Sequence, residues 1–139
     1  MTPLVNRYGW LAYQSDLSGR WEVFVQPYPE LDSVQQISSG GGTSPLWGRN
    51  GRELFYRNER LMMRVPVETT GRAFRRQNPE VLFEGPYVLE DGTGQRSYAL
   101  AADGQRFLMM KPEERLDTEG GTAQIVFVQN WSEELKGNR

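Results

Sequence analysis

The chain contains neither cysteine nor histidine among its 139 residues. Without cysteine there are no disulfides, thiolate nucleophiles or thiolate metal ligands, and the redox compartment stays undetermined. Without histidine, the usual general base near neutral pH and the usual ligand for zinc, iron or copper are both missing. No apolar run approaches the roughly 18 residues of a membrane span. "MTPLVNRYGW" has no cationic start leading into an apolar run and no small-residue cleavage site. The expectation is a soluble protein without membrane insertion, cytoplasmic if the chain is complete. An excess of positive charge is lacking too: 16 basic residues face 18 acidic ones, so nucleic acid is not expected as a partner.

What is present is apolar and aromatic. Hydrophobic residues make up 37% and aromatic residues 12%, with four tryptophans, which sets the chain apart from disordered compositions. A chain of this length is expected to form one domain, residues 1–139, with a core of its own.

Three segments align without gaps: "YGWLAY" (8–13), "GRELFY" (51–56) and "GQRFLM" (104–109). Each begins in a turn, carries Leu11, Leu54 or Phe107 at one position, and ends in an apolar or aromatic residue. "SPLWGRN" and "SYALAAD" precede the second and third copies and end in Asn50-Gly51 and Asp103-Gly104, a strong hairpin signal of the type I′ turn. Further strands are expected in "RWEVFVQP" (20–27) and "LMMRVPV" (61–67), and fourth strands in "SVQQIS" (33–38) and "EVLFE" (80–84). "TPLVN" (2–6) is the candidate first strand of the first unit. The basic cluster "GRAFRRQ" (71–77) reads as a solvated loop. "WSEELKG" (131–137) could hold a short C-terminal helical turn capped by Ser132.

The expected fold is therefore all-β: about three four-stranded antiparallel units, one at about 2–38, one at about 44–84 and one at about 96–130, with a tail at 131–139. Repeats of about 40 to 45 residues, each a four-stranded sheet, are the signature of propeller blades. "YGWLAYQSDLSGRWEVFVQPYP", "SSGGGTSPLWGRNGRELFYRNERLMMRVPV" and "ADGQRFLMMKPEE…IVFVQNWSEELK" resemble the TolB-like (WD40-like, PD40) β-propeller, in the version found at the C-terminal end of many bacterial serine/threonine kinases. The resemblance runs from about Tyr8 to Lys136. Gly48 and Asn50 depart from the family's serine and turn aspartate, and the first copy reads "NRYG". No kinase motif is present, so the resemblance implies no phosphotransfer.

A propeller closes a ring of roughly four to eight blades, and three blades leave two flanks open. Trp10, Trp21, Phe24, Trp47, Phe55, Tyr56, Phe107 and Phe127 are the expected residues of blade-to-blade packing. Either a homodimer closes a six-bladed ring, or the missing blades belong to a longer chain.

The Gly-rich "SSGGGTSPLWG" (38–48) lacks the lysine and helix of a phosphate loop and reads as a connection between blades. The acidic run "KPEERLDTEGG" (111–121), with Glu113, Glu114, Asp117 and Glu119, fits no calcium loop, but carboxylates there could support hydrolysis. No catalytic residue, metal site or cofactor is assigned. By resemblance to the fold, the loops "SDLSGR", "RNER", 111–121, "SSGGGTS" and "EGPYVLEDGTGQRS" share one end, with Asp16, Arg20, Arg57, Arg60, Tyr87 and Asp91 as candidate contacts to a protein or small-ligand partner. The expected function is a non-enzymatic binding or assembly module. The alternatives are a carboxylate-based hydrolase or lyase at the propeller mouth, or a sensor fragment of a receptor kinase.

Overall fold

The computed structural model describes residues 4–6, 9–29, 33–48, 51–70, 73–87, 97–101, 104–112 and 123–129. Among them every regular element is a strand, and the strands form three antiparallel sheets in chain order. The first sheet is β1 (Leu4–Val5), β2 (Trp10–Ser15), β3 (Glu22–Pro27) and β4 (Gln35–Gln36), laid side by side in sequence order. The middle sheet contains β5 (Thr43–Trp47), β6 (Glu53–Asn58), the long β7 (Leu61–Thr70), β8 (Ala73–Arg76) and β9 (Glu80–Glu84). The third holds β10 (Tyr98–Leu100), β11 (Arg106–Pro112) and β12 (Ala123–Gln129). Each sheet is an open row of strands, and none closes on itself.

The period-two alternation of the strands decides how the sheets stack. In β6, Leu54 and Tyr56 belong to one apolar cluster, with Trp10, Ala12, Val23, Val25 and Ile37 of the first sheet. Phe55, between them in sequence, belongs to a second cluster, with Tyr98, Phe107 and Met109 of the third sheet. β7 divides in the same way: Met63, Val65 and Val67 join the first cluster and Met62 the second. The middle sheet is thus apolar on both faces and packed on both. Full burial of each large side chain contributes roughly 1.5–3 kcal/mol, so these two seams hold the stack together. The aromatic members meet edge-on or tilted: Phe55 lies 4.9 Å from Phe107, and Trp10 lies 5.1 Å from Phe74.

Of the expected packing residues, Trp10, Trp47, Phe55, Tyr56 and Phe107 are buried. Trp21 is not: it precedes β3 and is 43% exposed, because the strand's alternation begins only at Glu22. Phe24 is half-buried. For Phe127 the structure describes only the backbone, paired with Leu108.

The hairpin starts also differ from a two-residue type I′ turn. Gly48 N–H bonds Glu53 O at 2.8 Å and Gly51 N–H bonds Gly48 O at 3.1 Å, so the hairpin closes at Gly48 and Glu53, wider than a two-residue turn. Ala101 and Arg106 close the third-sheet hairpin in the same way. Gly51 and Gly104 both stand at φ 71°, the left-handed region, at the end of a reverse turn. The "NRYG" copy keeps the reverse turn ending in a left-handed glycine but closes one residue sooner: Gly9 N–H bonds Asn6 O, Gly9 has φ 86°, Asn6 N–H bonds Trp10 O, and the Asn6 side chain accepts the Trp10 N–H.

A second correction concerns "GRAFRRQ". Ala73–Arg76 is a strand, β8, paired with the distal half of β7 from Val67 to Thr70, while β9 pairs with its proximal half. Phe74 anchors β8 by burying its ring between Trp10 and Trp47. Arg75 and Arg76 stay in water. The cluster of arginines masked the one residue that decides its structure. The helical turn expected at 131–137 lies outside the described residues.

One residue links all three sheets. Pairing of β5 with β6 is interrupted between Thr43 and Leu46, and Ser44 there has φ 55°. Its N–H bonds Gln14 Oε1 of the first sheet at 2.8 Å, and its carbonyl accepts the Tyr98 hydroxyl of the third sheet at 2.5 Å.

Candidate functional site

Four connections meet at one end of the stack: the β2–β3 turn (16–21), the link after β4 (38–42), the β6–β7 turn (Glu59–Arg60) and the link after β9 (85–87). Hydrogen bonds tie them in pairs. Gly42 N–H bonds Trp21 O at 2.9 Å, and Gly85 N–H bonds Arg60 O at 3.0 Å. Gly41 passes so close to Asn58 that an added Cβ would stand 2.9 Å from its Oδ1.

The first pair of connections is organised by a buried carboxylate. Glu22 Oε1 accepts the Ser38 hydroxyl at 2.5 Å and the Gly41 N–H at 3.0 Å, while Arg20 Nε stands 3.3 Å from Oε2. Ser38 Oγ in turn accepts the Val23 N–H at 2.7 Å. A buried charge needs such a set of donors. These donors come from both flanking segments, so the carboxylate fixes the link to the middle sheet. Gly42 allows the close packing: a Cβ there would meet Ser38 Oγ at 2.5 Å and Tyr56 Cδ2 at 3.2 Å. Burial, then the Glu22 charge, pushes the Tyr56 phenol up to about 12, with Arg76 opposing.

The second pair is organised by a buried cation. Arg57 is only 2% exposed. Its Nε donates to Leu61 O at 3.2 Å and its Nη2 to Glu59 O at 2.6 Å, so the guanidinium spans the β6–β7 turn from beneath. Burial lowers its pKa, while Tyr98 and Tyr87 act in the opposite direction. Glu59, in the turn, holds φ 53°.

The residues singled out in the sequence fall into three groups. Asp16, Arg20 and Arg60 are exposed at this end. Asp16 O accepts the Gly19 N–H, Arg20 reaches Glu22, and Arg60 Nε lies 3.8 Å from Glu84 Oε2. Tyr87 is half-buried at the edge of the second apolar cluster, its ring edge-on to Phe83 at 5.9 Å. Arg57 lies beneath the surface, where a partner would meet the turn that it supports and not the guanidinium itself. Asp91 lies outside the described residues, as do Glu113, Glu114, Asp117 and Glu119.

Sequence reading missed Glu22 and Ser38. The available signal was the polar pair flanking the short fourth strand: Ser38 follows "SVQQI" on one side, and Glu22 opens the paired strand on the other. Among the described residues no group of three or more acidic side chains could hold a metal ion, and no helix is long and apolar enough to cross a membrane. The exposed surface of this end offers the carboxylates of Asp16, Glu59 and Glu84 and the guanidiniums of Arg20 and Arg60, with the half-buried Tyr87 ring beside them, a set suited to polar and aromatic contacts. No protein-family model matches the chain, and no curated protein matches it.

Proposed function

We propose that the chain is a non-enzymatic binding module of the TolB-like propeller type, which receives a protein or peptide partner on the end that carries Asp16, Arg20, Arg60 and Tyr87. The observation that supports this reading is the joining of the four connections there by Glu22, Arg57 and the backbone of Gly41, Gly42 and Gly85. Loops fixed from below present side chains with less ordering cost on binding than free loops would. The sequence adds that histidine and cysteine are absent, which leaves the usual nucleophile and general-base pairs unsupplied.

A peptide-display selection against the protein tests the reading. Enriched peptides are titrated into isotope-labelled protein, and the expected shift changes are confined to residues 16–22, 38–42, 57–60 and 84–87. Changes confined to the opposite end, around Gly51 and Gly104, or enrichment of no peptide, contradict it. Hydrolytic turnover that disappears on replacing Glu113, Glu114, Asp117 and Glu119 would replace it with the carboxylate-based enzyme.

A further inference from the structure

The repeats allow each position of an end sheet to be compared with its counterpart inside the stack. Leu54 and Tyr56 of the middle sheet, and Phe107 and Met109 of the third, are buried against the sheet that precedes them. The same positions in the first sheet are Leu11 and Tyr13, which are only half-buried. On the opposite face, Ala12 and Gln14 of the first sheet and Phe55 and Arg57 of the middle one are buried toward the sheet that follows. Their counterparts in the third sheet are Leu108, half-buried, and Met110, 37% exposed. Among the described residues, no sheet packs on this face of the first sheet or on this face of the third.

The free face of the first sheet is already ordered. Tyr13 and Phe24 stack at 5.8 Å, and the Tyr13 hydroxyl donates to Gln26 Oε1 at 2.6 Å. Phe24 holds the repeat position of Met63, which is buried in the first seam.

We propose that these two end faces bind each other between two copies of the chain, head to tail, so that the third sheet of each copy covers the first sheet of the other. The repeat correspondence identifies the occupant: the face that covers Leu54 and Tyr56 carries Ala12, and the equivalent face left open is that of Leu108 and Met110. Closed rings of stacked sheets contain roughly four to eight units. With three sheets among the described residues, two copies of this chain supply a number inside that range and one or three copies do not. The surfaces joined differ from each other, so the contact is heterologous and closes only if the rotation per sheet permits. The partner end and these faces are separate surfaces, so either reading can fail alone.

Light scattering over a concentration series should show a particle of about 32 kDa, twice the 16.0 kDa chain. Tyr13→Arg and Met110→Glu should each lose it while keeping the β circular dichroism signal, and Leu17→Glu, at a fully solvated turn position, should keep it. Phe24→Arg and Leu108→Glu repeat the test if either first variant fails to fold. An equimolar mixture of a first-sheet and a third-sheet variant should recover particles of two chains, because each brings one intact face. A single-chain species at every concentration, ever longer polymers, or a mixture that stays monomeric overturns the proposal.

Discussion

The two seams of the stack occupy the same repeat positions but are filled differently. The first is dominated by aliphatic side chains and tryptophan, with Val23, Val25, Ile37, Leu54, Val65 and Val67 beside Trp10 and Trp47, and Tyr56, Met63 and Phe74 complete it. The second is built from phenylalanine, methionine and tyrosine, with Phe55 against Phe107 and Met62 nearby, and it also holds a guanidinium. β-Branched residues fix their rotamers and shape a seam rigidly, whereas methionine adapts to irregular gaps. Arg57 supplies the irregularity here. The position that faces the next sheet is Gln14 in the first copy and Arg57 in the second, and each is used to hold a backbone turn or bulge: Gln14 reaches Ser44, and Arg57 reaches Glu59 and Leu61. A repeat position can therefore stay polar and buried, provided that backbone groups satisfy it.

Truncation at a shared position tests the equivalence of the seams most strongly. Phe107→Ala and Leu54→Ala should each cost about 2–5 kcal/mol in denaturant unfolding, the larger loss at Phe107. Leu11→Ala, on the open face, should cost less than about 1 kcal/mol in dilute monomer. Equal losses at Leu11 and Leu54 would mean that the first sheet is covered after all.

The next largest effect separates the seams by pH. Tyr56 belongs to the first seam and is raised to about 12 from a reference of 10.0. A raised folded-state value means that its stabilising contribution is complete below pH 10 and is lost as pH climbs from there toward 12. Unfolding free energy should fall by about 2 kcal/mol across that window, and Tyr56→Phe should remove this part of the slope. An unchanged slope in the variant would show that other groups carry it.

Arg57→Met tests whether the second seam needs its charge. The substitution keeps much of the volume but strips Glu59 O and Leu61 O of their donor, so a loss of about 1–3 kcal/mol is expected. A gain in stability would show that the desolvation of the guanidinium outweighs its hydrogen bonds. The smallest effect lies in the turn above. Glu59→Gly relieves a left-handed residue and should raise stability by about 1 kcal/mol, measured by the same denaturation.

Much of the fold was legible because alternation reports burial directly. The strands around Trp10, Leu54 and Phe107 and the fourth strands at Gln35–Gln36 and Glu80–Glu84 could all be read from it. β8 could not, since its single core residue, Phe74, stands among arginines that suggest solvent. The type of turn at Gly51 was hidden for another reason: Asn-Gly suits several loops, and the closing pair at Gly48 and Glu53 depends on the strand register. At the candidate end, the exposure of Asp16, Arg20 and Arg60 follows from their turns. The burial of Arg57 does not, because its side chain lies within β6 and reaches a backbone turn two to four residues ahead.

Ser44 carries a consequence for how the molecule comes apart. Stacked repeats ordinarily couple each unit only to its neighbours, so the ends can fray one at a time. Here one residue, Ser44, is held at its N–H by Gln14 and at its C=O by Tyr98. Peeling away either outer sheet strips one of these two backbone groups of its partner within the stack, which raises the cost of partly opened states and favours the loss of all three sheets in a single cooperative transition.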